Sequence, residues 1–306
     1  MTRSFTSAST LDDAMTAIAA GARPVAGGTD LVVGARQGKK PLPGAIVAID
    51  RIEALRGLEE RDGGLRLGAL VTHEAIVADE TVRARFTALA DSSAIVGSHA
   101  TRANGTIGGN VMNASPAMDT GGALLCIGAT VTLRSEAGER EVPLGDLWTG
   151  PGATTAAPGE LLVAIDLPAP PAGTGSAYVR LEYRRQMEIA VVGATAVVTV
   201  GDGPGDDYGA GPVTDARIAI TALAPTIHRV AEAEQALMGT DGGDDAVGAA
   251  ARAAAAGAAP IGDVRASADY RTAMAEVVTR RAIAAALTRA RGGEVPIPAS
   301  DALYGA

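Results

Sequence analysis

The residues that could do chemistry gather in two glycine turns. One runs through Thr106, Ile107, Gly108, Gly109 and Asn110, just after Gly105; the other, much earlier in the chain, runs from Val25 through Ala26, Gly27, Gly28, Thr29 and Asp30 to Leu31. Glycine at 105, 108 and 109 removes Cβ atoms, which allows positive φ and a close approach of backbone to a ligand. Successive amide N–H groups in such a turn can point into one concavity and bind an anion without a cationic side chain. Thr106 and Asn110 add side-chain donors. Two neutral, donor-rich turns suit the two phosphate groups of a pyrophosphate. The residues alone leave a second reading open, that both are ordinary tight turns, because glycine clusters mostly punctuate a chain.

Other chemistry finds little support. No G-x-G-x-x-G opens a helix after a strand, and there is no Walker A sequence and no G-x-S-x-G elbow. Cys126 is the only cysteine, so an internal disulfide and a four-cysteine iron–sulfur cluster are both excluded. Its neighbours Leu124, Leu125 and Ile127 suggest a buried structural thiol. The three histidines, His73, His99 and His228, fit no zinc spacing. Each reads as structural.

The chain has 306 residues, 47% hydrophobic and 20% charged, enough for a sizeable core and more than one domain. A net charge of −9 argues against nucleic acid as a partner, since phosphate backbones need a basic surface. Lysine occurs only at Lys39 and Lys40. The first residues lack the apolar centre of a signal peptide, and no run of 18 apolar residues is present, so the expectation is a cytoplasmic protein with no membrane span.

The turns need elements to hold them. Thr10 and Asp13 have the spacing of a capping box and open a helix to about Ala20. Pro24, Val25 and Ala26 form a short strand into the first turn. A helix begins near Asp30, with Leu31, Val32 and Ala35 on its apolar side, and Pro41 and Pro43 stop it. The apolar run Ala45 to Ile49 is of parallel-strand type. Gly57 to Gly68 is a hairpin turning at Asp62, Gly63 and Gly64. Thr72 caps a helix, helical pattern resumes from Thr81 through Phe86 and Leu89, and Ala94 to Val96 leads towards the second turn. Residues 123–127 are helical, 130–133 and 140–142 form another hairpin, 147–151 is a loop, and 161–165 is a strand ending before Pro168. Residues 168–175 read as a linker by composition. Beyond it lie strands at 177–183, 191–200 and 216–223, a mobile loop at 201–211, and helices at 230–238, 246–256 and 270–290. Strands and helices intermix without strict alternation, which favours an α+β fold.

Both turns, in this order and at this separation, resemble those of the FAD-binding subunit of molybdenum hydroxylases. That family includes the medium subunits of carbon monoxide dehydrogenases and the flavin domains of xanthine dehydrogenases. The resemblance covers roughly residues 5 to 290 and is most specific from Thr106 to Asp119. It implies a two-part FAD-binding domain, residues 1–55 and 56–170, followed by a C-terminal flavoprotein domain at 176–292. By the same resemblance, Val25 to Leu31 wrap the pyrophosphate, with Thr29 donating. Thr106 to Asn110 contact the pyrophosphate and ribityl region, with Ile107 near the ring. Asp119 accepts from the adenosine part, for which the plain alternative is a helix N-cap. Val96 and Leu162 line the cofactor, though on sequence alone both are core residues. Val96 replaces an aromatic found in some relatives. Arg180 stands where the family often has lysine near the flavin, against the alternative of a surface strand arginine. Residues 184–190 match an arginine-rich family segment, and Glu188 stands where a small acidic residue is common.

A flavin carries its own redox chemistry, so such a subunit needs no nucleophile or metal. The resemblance implies an electron-transfer subunit that takes electrons from [2Fe–2S] clusters on a small partner subunit. The molybdenum cofactor lies on a large molybdopterin-binding subunit, in a heterotrimer or a dimer of heterotrimers. Two alternatives stay open: a stand-alone FAD-dependent oxidoreductase, and an assembly subunit that has lost its cofactor. The substrate and the final electron acceptor are not written in this chain.

Overall fold

The computed structural model describes residues 4–38, 41–203 and 211–302. These group into two compact units. The first comprises residues 1–75, 99–114 and 129–169; the second comprises 76–98, 115–128 and 170–306. Helices and strands are mixed in both, as an α+β reading requires. Lys39, Lys40 and most of the 201–211 loop lie outside the described residues. Among the described residues no helix is long and apolar enough to cross a membrane. No group of three or more His, Cys, Asp or Glu side chains among them could hold a metal ion.

The first unit begins with a parallel sheet in which Ala45–Ala48 lies between Ser4–Ser7 and Arg23–Val25. The apolar run takes the central place because a central strand is covered on both faces. Ser4–Ser7 leaves no burial pattern in the sequence because it is exposed along its whole length, Phe5 included. The helix Leu11–Ala19 starts where its capping residue sets it: the Thr10 hydroxyl accepts the Asp13 N–H at 3.1 Å. It turns Ala14, Met15 and Ile18 inward. The helix Leu31–Arg36 follows the first glycine turn, but its expected apolar side is not buried. Leu31 and Ala35 are half-buried, and Val32 and Val33 are exposed.

A five-stranded antiparallel sheet completes this unit, ordered Leu58–Arg61, Gly64–Gly68, Leu161–Leu167, Thr130–Ser135, Gly138–Pro143. Both expected hairpins are present. The first turns at Asp62 and Gly63, both at positive φ (51° and 73°), the backbone twist that suits a tight hairpin. The expected loop at 147–151 differs. Leu144–Leu147 is a helical turn and Trp148–Gly150 a short strand, because Trp148 is buried and its indole N–H donates to the Val111 carbonyl at 3.0 Å. One core joins the two sheets, with Met15, Ile18, Val47 and Ile52 packed together with Leu70, Leu161 and Val163.

The second unit is a four-stranded antiparallel sheet of Thr174–Leu181, Val192–Val200, Val213–Thr221 and His228–Arg229. Every residue of Val192–Val200 is buried, so both faces are covered. Alternation along the strands sorts the side chains. Ala177, Val179, Ala194, Ala196, Ile218 and Ile220 share a face with the long helix Ala268–Ala290 and form an apolar core. Ser176, Tyr178, Arg180, Thr195 and Thr221 take the other face, towards the helices Thr87–Ala94 and Asp119–Ile127. The helical stretch expected from Thr81 to Leu89 is broken at buried Phe86 into Glu80–Arg85 and Thr87–Ala94. Cys126 is a free, fully buried thiol whose ionisation burial pushes far upward, as its apolar neighbours suggested.

Candidate functional site

The two glycine turns meet inside the first unit. A Cβ on Gly27 would stand 2.6 Å from the Asn104 carbonyl carbon and closer still to its oxygen. A Cβ on Gly105 would stand 2.8 Å from the Thr101 carbonyl oxygen. Gly108 packs on Ala69, whose carbonyl oxygen would be 2.6 Å from an added Cβ. These three glycines are there for close packing of backbone on backbone. The helix His99–Asn104, which the sequence reading did not anticipate, carries the contact residue Asn104 into place.

The second turn is not the positive-φ turn that its glycines suggested. Gly105, Gly108 and Gly109 all lack positive φ, and Gly108 and Gly109 belong to a right-handed helix, Ile107–Asn113. Thr106 is its N-cap, and its hydroxyl accepts the Gly109 N–H at 3.1 Å. The amides here are used internally. Ile107 donates to Val71 at 2.9 Å, Gly108 to Ala69 at 3.0 Å and Asn110 to Thr106 at 2.9 Å. They are therefore not a set of donors for an anion. What this stretch offers outward is the exposed Gly109 and the half-buried Asn110, while Ile107 is wholly buried.

The first turn behaves as expected of a donor-rich turn. Gly28 sits at φ 66°, the left-handed region that glycine enters without steric cost. The N–H groups of Ala26, Gly27, Gly28, Thr29, Asp30 and Leu31 meet no acceptor among the described residues, and the Thr29 hydroxyl makes no hydrogen bond there either. Asp30 precedes the Leu31–Arg36 helix without a side-chain capping bond. Strand pairing of Val25 fixes the turn's start, through the Ile49 N–H to the Val25 carbonyl at 2.9 Å. Leu162 is buried in the strand Leu161–Leu167, opposite Leu133, and that strand packs against the Ile107–Asn113 helix.

Asp119, Val96 and Arg180 belong to the second unit. Arg180 is not a surface arginine: its side chain is fully buried. Its Nη1 donates to Asp119 Oδ2 at 2.9 Å and to the Ile95 carbonyl at 3.2 Å. Its Nε donates to Glu182 at 2.7 Å, and its Nη2 also meets Glu182. Tyr178 donates its hydroxyl to Asp119 Oδ1 at 2.7 Å. Asp119 is the first residue of its helix and Met118 is the N-cap, so the carboxylate serves this cluster and not the cap. Burial pushes the Asp119 carboxyl up to about 6, opposed by the Arg180 charge and the Tyr178 hydrogen bond. Burial works against the Arg180 charge, but its two carboxylates and Tyr178 leave the guanidinium held above its ordinary value. Val96, next to Ile95, is half-buried. Sequence reading missed Tyr178 and Glu182. The signal was present in the alternation Ser176, Tyr178, Arg180, which puts all three on one face.

Two family models match the chain. One, described as the FAD binding domain in molybdopterin dehydrogenase, covers residues 1–170; the other, the CO dehydrogenase flavoprotein C-terminal domain, covers residues 177–286. The carbon monoxide dehydrogenase medium chain of Afipia carboxidovorans is 33% identical over 90% of this chain and 93% of its own length. The xanthine dehydrogenase FAD-binding subunit of Escherichia coli is 28% identical over 94% and 97%. A solved structure of reconstituted CO dehydrogenase from Oligotropha carboxidovorans superposes with a TM-score of 0.87 at 32% identity, covering 94% of this chain and 99% of that one. With the open amides of residues 26–31 and both matched domains in one polypeptide, the chain belongs to the FAD-binding subunits of molybdenum hydroxylases, oxidoreductase subunits of the carbon monoxide and xanthine dehydrogenase type.

Proposed function

We propose that this chain is the electron-transfer subunit of a cytoplasmic molybdenum hydroxylase complex. It receives electrons from [2Fe–2S] clusters on a small partner subunit and passes them to an external acceptor. Substrate is oxidised at the molybdenum cofactor of a large molybdopterin-binding subunit, and the assembly is a heterotrimer or a dimer of heterotrimers. Bound FAD supplies the redox chemistry, taking up and releasing electrons singly or in pairs. The protein's part is to hold, orient and tune it.

The observation that carries the reading is the run of main-chain donors from Ala26 to Leu31 that meet no acceptor among the described residues, with Gly28 in the left-handed region. Oriented backbone amides of this kind suit a pyrophosphate, whose charge they meet without a cation. In this reading Val25 to Leu31 and Thr29 hold the pyrophosphate. The Thr106–Asn110 stretch gives a close-packed wall beside it, where the bare Gly109 lets the cofactor approach. Val96 and Leu162 supply apolar lining, and Asp119, whose carboxylate is held by Arg180 and Tyr178, acts together with Arg180 and Glu182 to set the charge near the flavin. Residues 1–55 and 56–170 together form the FAD-binding part, and 176–292 the C-terminal domain.

The natively purified protein tests this. It should carry non-covalent FAD, released by acid or heat, and should bring down a molybdenum subunit and an iron–sulfur subunit. A colourless protein that takes up no FAD after reconstitution overturns the cofactor assignment. A flavin-loaded monomer that turns over substrate by itself overturns the partner assignment.

A further inference from the structure

His73 stands at the junction of the two turns without a role in the account so far. Its backbone is tied to the second turn: the His73 N–H donates to the Gly105 carbonyl at 3.1 Å, and Thr72 bridges Thr106. Its side chain is 1% exposed. The imidazole Cδ2 lies 3.5 Å from the point where a Gly105 Cβ would be, and the Thr29 hydroxyl lies 3.6 Å from that same point. The imidazole edge and a hydroxyl of the first turn thus both lie within contact distance of one point beside Gly105.

The ring's two nitrogens are placed differently. Nδ1 is sealed from solvent and has no hydrogen-bond partner among the described residues. Nε2, bonded to Cδ2 on the edge that faces Gly105, is not among the sealed unpartnered atoms, and no described residue accepts from it. A proton on Nδ1 would be a buried donor with no acceptor, the costlier of the two orphans. The proton therefore belongs on Nε2, on the side of the two turns. Burial keeps the ring from taking a second proton, and the charge of Arg102, which donates to His99 Nδ1 at 3.1 Å and lies close to Glu74, acts in the same direction.

We propose that His73, through Nε2–H, donates a hydrogen bond to a phosphate oxygen of the nucleotide held by the Ala26–Leu31 turn, beside the Thr29 hydroxyl. The inference rests on the FAD reading and adds to it a second neutral side-chain donor, next to the Thr29 hydroxyl.

The test uses the full chain stripped of flavin, with His73→Gln and His73→Phe variants checked for folding by circular dichroism and thermal melting. A glutamine amide nitrogen can take the place of Nε2, whereas phenylalanine keeps the volume and removes the donor. The expected result is that His73→Phe weakens FAD binding by about tenfold to a hundredfold, the span of one hydrogen bond to a charged group. His73→Gln should remain within about threefold of the unaltered protein. The phosphorus NMR signals of bound FAD should move in the Phe variant and return in the Gln variant. Nitrogen-15 labelling should place the imidazole proton on Nε2. Equal affinity of His73→Phe and the unaltered protein, equal losses in both variants, or a proton on Nδ1 would each overturn the proposal while leaving the FAD reading intact. Failure of the unaltered chain to bind FAD would overturn both.

Discussion

Gly27 lies so close to Asn104 that a methyl group on the one would run into the main-chain carbonyl of the other. The two glycine turns are therefore locked to each other by backbone contact, and the open amides of the first are held in place by the second. Gly27→Ala should cost about 1–3 kcal/mol, as overpacking does, and should weaken FAD binding by forcing the turns apart. Gly109→Ala should behave differently. Gly109 is helical, and an added Cβ meets only the Thr106 hydroxyl, at 3.0 Å. The fold should change by no more than about 1 kcal/mol, helix propensity favouring alanine and the tight contact on the capping hydroxyl opposing it, while FAD affinity should fall, because in the proposed reading the exposed side of residue 109 faces the cofactor. Denaturant melts and flavin titrations of both variants decide this; equal stability losses would refute the distinction.

Two buried groups should give opposite pH dependences. Burial, then the charge of Arg102, pushes His73 down to about 4, below its ordinary 6.5. Its share of stability is present above about pH 6.5 and lost as pH falls towards 4. Asp119 is pushed up to about 6 from 3.8. Its share is present below its ordinary value and lost as pH rises through about 6. Each span is worth on the order of 3 kcal/mol at most. Between pH 4 and 6 the two oppose each other. Relative to the unaltered chain, His73→Gln should gain stability as pH falls, and Asp119→Asn should gain as pH rises. Urea unfolding across this range measures both, and difference curves that stay flat would contradict the assignment.

Arg180 neutralises two carboxylates that have little access to water. Arg180→Met should destabilise the protein by about 3–5 kcal/mol at neutral pH, because Asp119 and Glu182 lose their cation. Part of that loss should be recovered near pH 5, where Asp119 takes up a proton. Arg180→Lys should fall between the two, since one ammonium cannot reach Asp119, Glu182 and the Ile95 carbonyl together. Denaturant unfolding at both pH values reads this. A neutral effect of Arg180→Met at pH 7 would show that the cluster is not held by its charge.

FAD binding should depend only weakly on salt. The Ala26–Leu31 amides, the Thr29 hydroxyl and neutral His73 carry no net charge, whereas an exposed arginine clamp is screened strongly at high ionic strength. Titration of FAD into apoprotein at low and high salt checks this. A steep loss of affinity would show that exposed arginines hold the phosphates in place of the turn.

The sequence by itself determined the α+β class, both hairpins, the capped helix after Thr10, the central parallel strand and the family, because local pattern and turn chemistry act over a few residues. It also marked the two glycine stretches. It did not reveal what each glycine is for. Gly27 and Gly108 are needed because backbone from elsewhere in the chain, at Asn104 and Ala69, presses against them, and such contacts leave no local mark; Gly105 answers to the nearby Thr101 carbonyl. That the Ile107 and Gly108 amides are consumed was likewise decided by tertiary pairing with Val71 and Ala69, while those of Gly109 and Asn110 are taken locally by Thr106. Arg180 could be read as a surface residue from its strand, because only the helices laid over that face enclose it and bring Asp119 within reach. Periodicity in a sequence tells which residues share a face; which faces are covered, and which donors are left without an acceptor, is settled only when distant segments pack together.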